Sequence, residues 1–109
     1  MTTYKAPLRD MQFVMRDLLN FEKHYQSLPA CEEVNQELID VILGEASKFS
    51  EEVVAPLNAV GDEKGCQMLD DGEVKTPPGF KEAYQQYIEG GWPSLDQKAR
   101  YGGQDLPMS

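Results

Sequence analysis

A long amphipathic stretch, residues 33–57, is the feature that most constrains how this chain can fold. Wound as a helix of 3.6 residues per turn, the stretch gathers its apolar residues on one side. The apolar arc spans roughly 200°, whereas one packing partner needs only about 100°. We therefore predict a central helix with neighbours on two sides. Its main apolar stripe consists of Val34, Leu38, Val41, Ile42, Ala46, Phe49, Val53 and Leu57.

The far end of the central helix carries two helix breakers. Pro56 has no amide hydrogen, and its ring clashes with the carbonyl four residues back. We expect a kink or a stop at Pro56, and we expect Gly61 to end any continuation.

Shorter elements are predicted on both sides of the central helix. Apolar residues at helical spacing predict an amphipathic helix from Pro7 to Asn20. The segment Phe21 to Leu28 either continues this helix or forms a separate turn that carries Tyr25. Beyond the central helix, Cys66–Leu69 and Glu73–Thr76 flank Asp70-Asp71-Gly72, which predicts a short β-hairpin.

The last third of the chain predicts another helix and a glycine-rich turn. Thr76 is the candidate cap of this helix, and Gly90-Gly91 closes it. One or two helical turns over Ser94 to Arg100 precede a turn at Tyr101-Gly102-Gly103-Gln104. The fold class is therefore mainly all-α, a small helical bundle with one long central helix and a short β-hairpin.

Length and charge narrow the classes of function. The 109 residues suffice for one domain, and 10 basic against 19 acidic residues give a net charge of −9. Such a chain is repelled by nucleic-acid phosphates and anionic lipids, so neither is an expected partner. No apolar run approaches the roughly 20 residues that cross a bilayer. Cys31 and Cys66 lack metal-type spacing, so we expect free thiols in a cytoplasmic protein, while the sequence leaves a disulfide open.

The ionisable residues form no catalytic constellation. The single histidine, His24, is expected to face solvent or to pack rather than to bind a metal. Glu45 and Glu52 border the apolar arc, where paired carboxylates can serve acid–base catalysis. We favour a structural role, in which both are partly buried and meet Arg9, Arg16 or a cation on another domain. No catalytic, cofactor-binding or metal-binding residue is predicted.

Three further groups of residues contain side-chain types that occur in functional sites. The acidic turns lack the alternating spacing of a calcium loop, and the serines lack a nucleophile-elbow context. The aromatic group could stack on bases or flat ligands, but the net negative charge of the chain favours packing of these rings in a small core. The acidic residues are Asp62, Glu63, Asp70, Asp71 and Glu73; the serines are Ser47, Ser50 and Ser94; the aromatic residues are Tyr84, Tyr87, Trp92 and Tyr101.

Several short motifs occur in a characteristic order. They are Phe49-x-x-x-x-Val54-x-Pro56-Leu57, Asp62-Glu63-Lys64-Gly65, Gly91-Trp92 and Tyr101-Gly102-Gly103-Gln104-x-Leu106-Pro107. In this order they resemble the N-terminal helical domain of flavin-dependent acyl-CoA dehydrogenases. Tyr4 to Met11 resembles the N-terminal extension of the branch that includes the 3-methylmercaptopropionyl-CoA dehydrogenases. Asp105 replaces the family's usual glycine, and Ala99-Arg100 replaces its usual Pro-Glu.

The resemblance implies a larger enzyme that also has a β-domain and a C-terminal helical domain. In that enzyme FAD lies between those two domains and accepts hydride from an acyl-CoA, whose α-proton a C-terminal carboxylate removes. None of the flavin-binding or catalytic motifs has a matching position here. Residues 1–30 correspond to an extension helix and residues 31–109 to the helical domain, packed as one unit.

In this interpretation the chain is a non-catalytic piece of the larger enzyme. It supplies packing surface and part of the acyl pocket wall, and it holds no FAD itself. Because large bare apolar patches are rare on soluble monomers, we expect the isolated chain to self-associate. The alternative is a freestanding acidic helical module that binds a partner protein.

Overall fold

The computed structural model describes residues 3–108 and confirms a mainly helical fold with one small hairpin. The α-helices are α1 (Leu8–Gln12), α2 (Phe21–Gln26), α3 (Gln36–Phe49), α4 (Ala55–Lys64) and α5 (Phe80–Glu89). The wider, π-helical turns are Phe13–Leu18 and Ser50–Val54, and the 3₁₀ turns are Pro29–Cys31, Trp92–Ser94 and Ala99–Tyr101. The antiparallel strands β1 (Gln67–Met68) and β2 (Val74–Lys75) pair around Gly72, whose φ is 87°.

The central helix consists of α3, the π-helical turn and α4, without a break. It begins at Gln36 rather than Glu33, because the side-chain oxygen of Asn35 accepts a hydrogen bond from the Leu38 amide at 2.9 Å. The Glu22 carboxylate adds a second bond, from the Gln36 amide at 3.2 Å. Two amides of the first turn that have no partner within the helix are thus hydrogen-bonded, and the bond to Glu22 connects α2 with α3.

The predicted end of the central helix at Gly61 is wrong. A π-helical turn ends two residues before Pro56, and the helix then continues through Lys64 to Gly65, whose φ is 61°. Gly61 lies inside α4 and leaves room for Phe80: a Cβ at Gly61 would lie 2.8 Å from the edge of that ring.

Asn20 separates the first two helices. Its φ of 48° is left-handed, so Phe21 to Leu28 does not continue the first helix but forms the separate helix α2. The predicted helix from Pro7 to Asn20 is confirmed as α1 with its π-helical extension to Leu18.

Thr76 does not cap α5, so that prediction is also wrong. The residue before α5 is Gly79, whose φ is 88°, and no side chain caps the first turn. Gly90-Gly91 follows the last helical residue as predicted. The segment between Ser94 and Arg100 holds only the ends of two 3₁₀ turns.

The core lies where α2, the following turn and α3 meet. Tyr25, only 2% exposed, packs with Cys31, Val34 and Ile39. Met15, Phe21, Leu43 and Leu106 pack around this cluster. Residues before and after position 30 thus share one core, while the boundary between the two proposed parts stays a prediction.

The molecule is more extended than a compact domain of its length. Its radius of gyration is 17.7 Å, with extents of 56 × 38 × 17 Å. A compact domain of this length has a radius of gyration of about 13 Å. The accessible surface is 8501 Å², whereas about 6,100 Å² is usual for a folded monomer of this mass. Much of the surface of the helices is therefore left uncovered by the chain itself.

Candidate interaction surface

An apolar groove of about 290 Å³ runs between the central helix and α5. We call it the aromatic groove. It is lined by Phe49, Val54, Leu57, Asn58, Phe80, Ala83, Tyr84 and Tyr87. The rings of Phe49 and Tyr87 lie 6.3 Å apart between centroids, and those of Tyr84 and Tyr87 lie 6.4 Å apart. Such separations are within the range of favourable aromatic pairing, so the rings stabilise one wall of the groove.

The sequence builds this groove from helical spacing and two glycines. Phe80, Tyr84 and Tyr87 recur every three or four residues, which places them on one face of α5. Gly61 gives the Phe80 ring its close approach to α4, and a Cβ at Gly79 would lie 2.8 Å from the Leu57 side chain. Side chains of the two helices therefore meet the backbone of the opposite segment at the start of α5.

The groove is open to solvent. Tyr84 is 64% exposed and Val54 is 47% exposed, although both are lining residues. On α3, Val41 of the predicted apolar stripe is 59% exposed, whereas Ile39 is buried. The broad apolar arc is thus only partly covered, which is the surface expected of an element that packs against something larger.

An extended N-terminal segment, residues 3–7, contacts the central helix at its π-helical turn; we call it the strap. The Ala6 amide donates to Glu51 Oε1 at 2.8 Å, and Lys5 Nζ lies 3.5 Å from Glu51 Oε2. Ser47 Oγ donates to Glu51 Oε1 at 3.2 Å. The bond from the Ala6 amide, together with the charge of Lys5, holds the pKa of the Glu51 carboxyl below its usual range, against a smaller opposing effect of burial.

A second carboxylate, Asp40, fixes the first helix to α3. Arg16 Nη2 lies 2.7 Å from Asp40 Oδ2. Gln12 and Gln36 both donate side-chain hydrogen bonds to Asp40 Oδ1, at 3.3 Å and 2.9 Å. Since Asp40 and Glu51 bond to Arg16 and Ala6 respectively, the N-terminal segment lies antiparallel to the central helix.

The predicted partial burial of Glu45 and Glu52 and their pairing with Arg9 or Arg16 are wrong, whereas a contact with a cation on another domain stays a prediction. Glu45 pairs instead with Lys48 at 3.1 Å on its own helix, Glu52 is exposed, and Arg16 pairs with Asp40. Helical spacing places Asp40 and Glu51 opposite the main apolar stripe of the central helix, where no site is predicted. The basic residues of the N-terminal segment are the sequence signal for such ion pairs. Only the packing of that segment decides which acidic residue each basic residue contacts.

The remaining candidate residues lie apart from one another. His24 is exposed beside Phe21 and Tyr25, and both cysteines are free thiols, Cys31 buried and Cys66 exposed. Ser94 Oγ donates to the Gly91 carbonyl at 3.0 Å. Within residues 3–108, no three side chains of the metal-binding types converge on one point. Over the same range, no helix is long and apolar enough to cross a membrane.

Of the predicted acidic turns, Asp62 and Glu63 lie inside α4 instead, whereas Asp70 and Asp71 do lie in the hairpin turn. The Asp71 carboxylate accepts a hydrogen bond from the Glu73 amide at 2.9 Å and so stabilises the hairpin turn. Trp92 stacks near Phe49, with 6.4 Å between ring centroids, and thus joins Tyr84 and Tyr87 beside the central helix. Tyr101 is separate, 76% exposed, with the Arg100 guanidinium 4.8 Å from its ring centroid.

The C-terminal turn folds back onto the core. The amides of Gln104 and Leu106 donate to the carbonyls of Ser94 and Leu95, at 3.1 Å and 2.9 Å. Asp105 has a left-handed φ of 55°, and its side-chain oxygen accepts from the Ala99 amide at 3.1 Å. The backbone conformation that glycine adopts freely is therefore retained with aspartate in its place.

Comparison with known proteins gives one clear similarity. The chain is 36% identical over 105 residues to the 3-methylmercaptopropionyl-CoA dehydrogenase of Ruegeria pomeroyi. The predicted resemblance to an acyl-CoA dehydrogenase is confirmed. The alignment takes in 96% of the chain but only 18% of that dehydrogenase. No family model matches the chain.

Proposed function

We propose that this chain serves as the N-terminal helical domain of an FAD-dependent acyl-CoA dehydrogenase. The observation that carries the proposal is the 36% identity, which runs through nearly the whole chain but covers a small part of the relative. In this role the chain is non-catalytic. It supplies packing surface and part of the acyl pocket wall, and the full enzyme dehydrogenates an acyl-CoA between Cα and Cβ.

The uncovered apolar surface supports this role. The aromatic groove and the exposed valines of the central helix need a cover that residues 3–108 do not provide. We propose that the β-domain and the C-terminal helical domain of the enzyme cover them. Residues 1–30 then act as an extension helix and residues 31–109 as the domain proper, in a cytoplasmic homo-oligomer.

FAD binding tests the proposal. The purified 109-residue chain should leave the absorbance and fluorescence of added FAD unchanged, whereas a protein that joins it to the downstream β- and C-terminal domains should bind FAD. The joined protein should also reduce its flavin when an acyl-CoA is added. A joined protein that binds no flavin, or FAD binding by the 109 residues alone, would overturn the proposal.

The aromatic groove tests the pocket-wall role within the joined protein. Leu57→Ala enlarges the groove and should change the relative kcat/KM for short and long acyl-CoA thioesters. Val41→Ala removes two methyl groups from the exposed face of α3 and is the matched control. If Leu57→Ala and Val41→Ala show the same relative kcat/KM for short and long thioesters, the chain does not form part of the acyl pocket wall.

A freestanding interaction module is the second candidate function, and the open aromatic groove is the observation that favours it. Reading the gene beyond the codon for Ser109 separates the two. A stop codon supports the module, and several hundred further codons for a β-domain and helices support the dehydrogenase.

A further inference from the structure

The strap is attached to the central helix chiefly through a single carboxylate. Glu51 accepts the Ala6 amide at 2.8 Å and faces the Lys5 ammonium at 3.5 Å. Neither α1 nor its π-helical extension contains a buried residue, so little apolar burial supports this end of the chain. A segment held this way opens at low free-energy cost while the rest of the fold stays intact.

The strap also borders the aromatic groove. Tyr4, with Ser50, Val54, Ala55 and Asn58, lines a recess of about 400 Å³ over the π-helical turn. Val54 and Asn58 line the aromatic groove as well. The same two side chains therefore lie between the strap and the groove.

We propose that residues 3–7 form a movable strap, latched by Glu51, whose release widens the aromatic groove at Val54 and Asn58. The latch is electrostatic. Ionised Glu51 attracts Lys5 and accepts from the Ala6 amide, whereas the neutral acid loses the charge-assisted part of both contacts. The strap and its latch lie within residues 3–108 and act in the same way whether or not the chain is part of a dehydrogenase.

The direction of the pH effect follows from the groups around Glu51. Lys5 faces it from the strap, and Ser47 faces it from the preceding turn of the central helix. Both contacts favour the ionised carboxylate, in accord with the lowered pKa of Glu51. The latch is therefore fully closed above the ordinary pKa of a glutamate and opens as the pH falls through the lowered pKa of Glu51.

Limited proteolysis at pH 8 measures release of the strap. Trypsin cleaves after Lys5 when the strap is detached, so Glu51→Ala should speed this cleavage about fivefold, as expected for loss of a partly exposed charge-assisted bond. Glu52→Ala is the matched control, because Glu52 is the next residue of the same turn and is exposed. Glu51→Ala should also enhance the fluorescence of an apolar dye that binds the widened groove, and Glu52→Ala should not.

Amide NMR separates release from unfolding. In the wild-type chain, the Ala6 amide should shift towards its unbonded position as the pH falls below the ordinary pKa of a glutamate, while the ring signals of Tyr25 stay in place. Glu51→Gln keeps an oxygen for the Ala6 amide but removes the charge, so this pH dependence should disappear. If Glu51→Ala loses helical circular dichroism, Glu51→Gln carries the test. An Ala6 shift with the same pH dependence in Glu51→Gln, or equal cleavage of Glu51→Ala and Glu52→Ala, would overturn the inference.

Discussion

Asp105 shows how a single residue can replace the usual glycine of a signature turn. Its φ of 55° costs most L-residues roughly 1–2 kcal/mol, since Cβ crowds the following carbonyl oxygen. The carboxylate offsets part of this cost by accepting the Ala99 amide at 3.1 Å. The turn in turn orients Leu106, which packs against the core cluster of Tyr25 and Val34.

We predict that Asp105→Ala lowers the free energy of unfolding by about 1–2 kcal/mol, because alanine keeps the strain and loses the hydrogen bond. Asp105→Gly loses the same bond but relieves the strain, so its effect should be smaller. Urea denaturation followed by circular dichroism measures both. Asp96→Ala is the control, since Asp96 is exposed and has no left-handed φ. Equal losses for alanine and glycine at position 105 would contradict this account.

At the scale of elements, the positions of the helices follow from apolar spacing, but several of their ends do not. Gly61 is a helix-ending residue by type, yet it lies inside α4, where the absence of a side chain leaves room for the Phe80 ring. Its local preference to end a helix is therefore not decisive in the folded chain. Apolar spacing does not predict the π-helical turn either, because no particular residue types mark such a turn in a sequence.

Gly44 and Gly61 form a matched pair inside the central helix. Nothing lies within 4 Å of a Cβ at Gly44, so Gly44→Ala should stabilise the chain by about 0.5–1 kcal/mol. Gly61→Ala should give a free energy of unfolding about 1 kcal/mol lower than that of Gly44→Ala, because the Phe80 ring has to move. Thermal unfolding measures the difference. In a Phe80→Ala background the difference should vanish, and its persistence would show that the ring is not the cause.

At the scale of the whole molecule, the sequence predicts the broad apolar arc but not which part of it stays bare. Val41 and Ile39 belong to the same arc, and only Ile39 is buried. Which apolar residues are covered depends on how the first helices pack. Asp40 and Glu51, which hold the N-terminal segment in place, lie on the face of the central helix opposite the apolar stripe. Long-range ion pairs of this kind have no signature in local spacing, and so these two residues were missed.

We predict that the isolated chain self-associates, because the aromatic groove and Val41 leave apolar surface exposed. Sedimentation velocity should show a sedimentation coefficient that rises with concentration. Tyr84→Asp places a charge on the open wall of the groove and should weaken association. Glu82→Asp, on the same helix, keeps the charge and should not. A compact monomer at every concentration, without dye-binding apolar surface, would contradict the prediction.

The π-helical turn at Ser50–Val54 gives the central helix a tolerance to changes in chain length. A widened turn holds one residue more than a regular one, so a protein that lacks a single residue there can close into an ordinary α-helix. The flanking helices then keep their phase, and Leu57 still points at the same neighbours. Elsewhere in the central helix, the loss of one residue would rotate all following residues by about 100° around the helix axis. Single-residue length differences among homologous chains should therefore collect at this turn, where they leave the shape of the groove intact.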